Sequence, residues 1–247
     1  MNRFLFCYKN EFAKLALRKK YIVTLIIAAL FCFFRWGGAA LIGKLIGNGI
    51  KIPSNIPLEM LSLFVEILVP IIIFEAAVDL ISSENSSDTL KLSLMTPATR
   101  FKILLSKTAA AFTMGAVSLM LMFFISLAVQ IITGGSLSSA GITFIAYLID
   151  IIPLLCISCM AVFISVLLKS PSAAMLILLI IYAAMKYAGR YISGGGTFLF
   201  TSYSKLHTII LGTPLPLPIL LYKIGILLGS VLILFSLSYI IFDAKDI

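Results

Sequence analysis

The chain has 247 residues, 61% of them hydrophobic and 12% charged, where a soluble domain carries about 25% charged residues. That excludes a water-soluble globular enzyme and leaves room for one membrane domain with no second, soluble one. The net charge of +9 reads as an orientation signal and an attraction for acidic lipid, not as a nucleic-acid surface.

Residues 2–20 place Phe4, Tyr8, Phe12 and Leu15 at helical spacing, with Arg3, Lys14 and Arg18 as polar companions. This predicts a helix lying in the membrane interface, and the segment lacks the pattern of a cleavable leader. The first span is expected at 21–42 and holds Arg35 beside Trp36. Residues 38–44 imitate most of a phosphate-binding loop. Leu45 stands where a hydroxyl must meet magnesium, and no strand precedes it, so no nucleotide site is assigned. Gly43 and Gly47 suit close helix approach instead. The second span, 58–81, carries Glu66 and Glu75 within apolar sequence, with Pro70 as a kink. A third span is expected at 103–132 and a fourth at 142–168, with Asp150 and Pro153 inside it. The fifth, 172–192, holds Lys186 and Arg190, and the sixth, 219–242, holds Lys223. Each run reaches the roughly 20 residues that cross the hydrocarbon. The fold class is therefore all-α: six spans, an interfacial N-terminal helix and one short helix between spans two and three.

That last helix belongs to residues 79–107, the longest polar interruption in the chain. Ser86, Ser87 and Asp88 can cap a helix and favour its positive end. Leu90 and Leu94 then lie one turn apart on one face, and Pro97 stops the helix. Arg100, Lys102 and Lys107 follow as the next span begins. Such a helix, held between two spans, can dock on a cytosolic partner; a solvated loop that only fixes topology is the alternative. With the N-terminus inside, the inner side receives twelve of the nineteen lysines and arginines and the outer side and its margins six. Both termini and the 79–107 loop are then expected in the cytosol.

Ionisable residues inside a membrane are costly and face a partner or a cavity. Arg35 and Glu66 fall at matching depth when counted at about 1.5 Å per residue, which predicts that they are neighbours. Asp150, Lys186 and Lys223 fall in the same outer half, and Glu75 is a further intramembrane charge in the second span. Either these charges lock the bundle as ion pairs or they line a route across it. Residues 193–218 are too apolar for a free loop. Phe198, Leu199 and Phe200 form one cluster and Ile209, Ile210 and Leu211 another, which predicts two short helices folded back on the membrane. They could close the outer end as a gate, with Phe198, Phe200, Ile209 and Ile210 as its residues, or cover the bundle as a flap. No catalytic constellation is found. His207 is the single histidine and reads as an interfacial polar residue, not a metal ligand. Cys156 and Cys159, within an apolar run, read as buried small residues.

The loop also resembles the first cytoplasmic loop of ABC-2 type transporter permeases. The resemblance sits in Asp79 and Glu84, in the helix start Asp88-Thr89-Leu90-Lys91, and in the stop at Thr96, Pro97, Thr99 and Arg100 before a span with Lys107. The amphipathic N-terminal segment and the terminal Phe242, Lys245, Asp246 and Ile247 fit the same family. The resemblance implies two permease copies or paralogues, each resting on a separate ATPase that holds ATP and magnesium, with no cofactor in this chain. It assigns Glu84, Asp88, Leu90, Leu94, Pro97 and Arg100 to coupling with that ATPase. It further implies a bacterial plasma-membrane exporter. Compact permeases of this kind resemble exporters of hydrophobic or amphipathic peptides, such as bacteriocin-immunity pumps and phenol-soluble modulin exporters. A drug or lipid exporter, or a non-pumping immunity or scaffold protein, is the alternative.

Overall fold

The computed structural model describes residues 3–38, 55–87, 99–191, 195–211 and 217–244, and every regular element among them is helical. Helix α1 spans Arg3–Ala16. Phe4, Tyr8 and Phe12 recur along one side, with ring centroids 6.4 and 6.2 Å apart. Leu15 and Glu11 are buried, while Phe6 and Leu17 point outward. Arg18 adopts extended backbone and separates α1 from α2, Lys19–Cys32, whose course continues in wide π turns over Phe33–Gly38. The expected first span leaves the described residues after Gly38, and Gly43 and Gly47 lie outside them.

Helix α3 runs Ile56–Ser86 without interruption. Asn55 caps it by accepting from the Leu58 N–H at 3.2 Å. Two stretches of α3 are wound as π turns, Phe64–Leu68 and Val78–Ser82. The first is followed by Pro70, which has no N–H to give to the Glu66 carbonyl. The Tyr182 hydroxyl, from another helix, donates to that carbonyl at 3.0 Å. Helix α4, Arg100–Ile132, is capped by Thr99, which accepts from Lys102 N–H. It packs closely on α3 at Gly115, where an added Cβ would sit 2.5 Å from Ile73 Cγ1.

Helix α5 spans Ala140–Leu167 and is broken by a turn at Asp150. Pro153 is the cause: it cannot donate to the Ile149 carbonyl, so regular winding restarts at Ile151. Helix α6, Pro171–Tyr191, is followed by the short α7, Gly195–Phe198, a 3₁₀ turn at Phe200–Tyr203, and α8, Leu206–Ile210. Helix α9, Leu217–Ala244, closes the described chain.

Five of these helices are long and apolar enough to cross a membrane, α3, α4, α5, α6 and α9. The protein is an all-α membrane protein. The apolar windows of α3 and α5 are buried within the bundle over 61% and 72% of their residues, those of α6 and α9 over 17% and 11%. Helices α3, α4 and α5 therefore form the centre, and α6 and α9 turn most of their surface outward.

Candidate functional site

Helix α3 carries an ion cluster at each end. At its C-terminal end, Lys107 of α4 is fully buried. Its Nζ donates to the Leu80 carbonyl at 2.9 Å, within the second π turn, and to Glu84 Oε2 at 2.7 Å. Glu11 Oε1 of α1 lies 3.3 Å from the same nitrogen. Lys14 closes the ring, 3.0 Å from Glu84 and 3.2 Å from Glu11. Burial works against the Lys14 charge, but its hydrogen bond to Glu84 and the Glu11 and Glu84 carboxylates prevail and hold its pKa above the ordinary 10.5. One turn earlier on α3, buried Asp79 accepts from Tyr21 Oη at 2.9 Å and pairs with Arg18 at 2.9 Å and with Lys20. These contacts fasten α1 and the start of α2 to the junction of α3 and α4. That junction brackets residues 88–98. Asp88, Leu90, Leu94 and Pro97 lie outside the described residues. Glu84 is in the cluster, and Arg100 reaches to the Asp243 carbonyl of α9 at 2.5 Å.

Near the other end, Glu66 receives two lysines. Lys186 of α6 lies 3.3 Å from Oε1 and Lys205 lies 3.1 Å from Oε2. Arg35 is not among these partners. The expected Arg35–Glu66 pair is corrected: Arg35 is exposed and lies over the Trp36 ring, 5.2 Å from its centroid. Matching depth was no guide to facing, since Glu66 looks toward α6 and the α7–α8 segment. Glu75 lies one turn before Asp79 on α3, and its buried Oε2 has no hydrogen-bond partner among the described residues. Lys223 sits over the Tyr203 ring at 5.8 Å.

Asp150, at the break in α5, is fully buried. Its carboxylate accepts from the His207 backbone N–H at 2.8 Å and meets His207 Nδ1 at 2.5 Å. His207 is 5% exposed, so it is a buried partner and not the interfacial residue expected. The bond pins α8 to the break in α5. Gly189 and Gly196 bring α7 against the end of α6: a Cβ on Gly196 would lie 2.8 Å from the Gly189 carbonyl oxygen. Of the four residues expected in the gate, Phe200 is buried, while Phe198 is 75% and Ile210 40% exposed. The side chain of Ile209 lies outside the described residues.

Between α3 and α6 lies an open cleft of about 780 Å³. Helices α3 and α6 run antiparallel along it, as Glu66–Lys186 and the edge-on Phe74–Tyr182 pair require. One end is lined by Glu66, Lys186, Arg190, Tyr187 and Tyr191, the other by Pro70, Ile71, Phe74 and Leu179. Lys205, His207, Glu11, Lys14 and Lys107 were absent from the residues the sequence singled out as sites. Glu11 carried a signal, as the first acid of the chain within an otherwise basic helix.

No group of His, Cys, Asp and Glu suited to a metal ion occurs among the described residues. The arrangement is that of an integral membrane protein with a polar-to-apolar cleft and a charged joint where α3 and α4 bracket residues 88–98. The family model for ABC-2 family transporter protein matches residues 6–210. The chain belongs to that family and is a permease subunit of an ABC transporter, a membership that implies an ABC ATPase partner. No curated protein matches it.

Proposed function

We propose that this chain is the permease of an ATP-driven exporter in a bacterial plasma membrane, both termini cytoplasmic, moving hydrophobic or amphipathic peptides outward as a pair of copies. The observation that carries this reading is the joint Glu11–Lys107–Glu84–Lys14, built around the buried Lys107. A push on residues 88–98 by a closing ATPase has to reach the spans to do work. The joint ties α1, α3 and α4 into one body at the ends of that loop, so the push moves them together. Helix α3 then acts as a lever. Glu84 and Glu66 are eighteen residues apart in sequence, or about 27 Å of helix. Motion at Glu84 shifts Glu66 against Lys186 and Lys205, and so shifts α6 and the α7–α8 segment that we assign as the outer gate. Leu90 and Leu94 supply the apolar face that docks on the ATPase, with Asp88 and Pro97 setting the bounds of the docking helix.

Co-expression with the ATPase and affinity capture test this. Replacing both Leu90 and Leu94 with Asp is expected to release the ATPase, or to leave it bound with peptide-stimulated ATP turnover lost, while the permease itself stays folded. Intact assembly with unchanged stimulation would overturn the docking assignment.

A further inference from the structure

The cleft between α3 and α6 is charged unevenly. Lys186 and Lys205 share one carboxylate, that of Glu66. Arg190 also lines the cleft, is exposed, and forms no ion pair among the described residues. Lys186 and Arg190 line the cleft and Lys205 reaches Glu66 from outside that lining, so three cations gather around one anion, an excess of two positive charges. Lys223 adds a fourth cation in the adjoining hollow lined by Gly189, Tyr203 and Tyr222. Cations left uncompensated beside an apolar wall are unfavourable, and an arriving anion relieves them.

The rest of the cleft says what that anion is attached to. Eleven residues separate Leu179 from Arg190 on α6, about 16 Å of helix. Along this distance the lining passes from Phe74, Ile71 and Pro70 to the tyrosines and then to the cations. Its volume falls in the range of about 300–1,000 Å³ that holds small ligands. The surplus of cations disfavours a cationic head placed there, and nothing in the apolar half would orient a fully polar solute.

We propose that this cleft binds an amphipathic molecule by its anionic end, seated at Lys186 and Arg190, with its apolar body along Pro70, Ile71, Phe74 and Leu179. This rests on the reading of the chain as an exporter permease and narrows its substrates to amphipaths with a carboxylate or phosphate at one end. A peptide C-terminus and a lipid-like phosphate share that chemistry.

Binding to the purified full-length permease, without ATPase, in an uncharged detergent tests the inference apart from the transport reading. Two matched pairs serve as probes in calorimetric titration. One is decyl phosphate against decyl trimethylammonium. The other is a leucine-rich, N-acetylated peptide with a free C-terminal carboxylate against its amide. The anionic member is expected to bind about tenfold tighter, and the preference is expected to collapse in Arg190→Gln and in the Arg190→Gln/Lys186→Gln double variant. Arg190→Lys is expected to restore part of it, which separates loss of charge from loss of fold. A preference in the peptide pair marks the carboxylate as the source, and one confined to the phosphate pair marks a lipid-like head; either supports the anionic site. Equal binding of both members, no binding because a second copy fills the cleft, or a preference that survives Arg190→Gln would overturn it. If the preference holds but no ATPase associates, the transport reading falls and the site stands.

Discussion

Asp150 and His207 are 57 residues apart, and each is nearly or fully closed off from solvent. A buried carboxylate that holds two N–H groups is costly to remove, because both donors are left unpaired. Asp150→Ala is expected to destabilise the protein by about 3 kcal/mol. His207→Ala is expected to cost less, since the backbone bond to Asp150 remains. Thermal unfolding in detergent checks the order, and a larger loss for His207→Ala would contradict it. The buried Lys107 is the comparable residue at the other end of α3. Lys107→Met removes the buried cation and leaves Glu11 and Glu84 with only the more exposed Lys14 between them, for an expected loss of about 3 kcal/mol. Replacing the exposed Lys102 in the same way should change little. Lys14 titrates above its ordinary range, so its contribution is fully present below pH 10.5 and is lost only as pH rises through the raised pKa. Docking of α1, followed by fluorescence of a label at Cys7, should therefore show no transition from Lys14 between about pH 7 and 9. A transition there would point to another group.

At the scale of elements, the long apolar runs announced their own helices. The run expected at 103–132 lies within Arg100–Ile132, and that expected at 58–81 within Ile56–Ser86. Composition alone gives this, because about 20 apolar residues in a row have few other uses. Facing was not legible. Each residue turns a helix by about 100°, and the π turns at Phe64–Leu68 and Val78–Ser82 shift that register again. Depth therefore suggested Arg35 for Glu66, whereas α6 and the segment before α8 supply Lys186 and Lys205. The Asp150–His207 contact was hidden for a different reason: it depends on how the segment after α6 folds back, which close approach at Gly189 and Gly196 permits. The packing of α3 on α4 rests on Gly115 in the same way. Gly115→Val is expected to force the helices apart and cost about 1–3 kcal/mol, read as a lowered melting temperature. An unchanged melting temperature would mean that Ile73 can move aside freely.

For the whole molecule, the proposal turns on one mechanical relation: what happens at the Glu84 end of α3 must be felt at the Glu66 end. Tyr187 lines the cleft on α6 and is 66% exposed, so a cysteine there reports the state of the far end. Three of the four native cysteines are buried, and Cys7 can be replaced by serine to silence the background. The decisive measurement is the rate at which an impermeant thiol reagent labels Tyr187→Cys in the permease reconstituted with its ATPase, with and without ATP. The labelling rate is expected to change on ATP binding when the Glu11–Lys107–Glu84 joint is intact, and to lose that change in Lys107→Met while ATP is still hydrolysed. The same ATP-dependent change in Lys107→Met, or none with the joint intact, would contradict the lever.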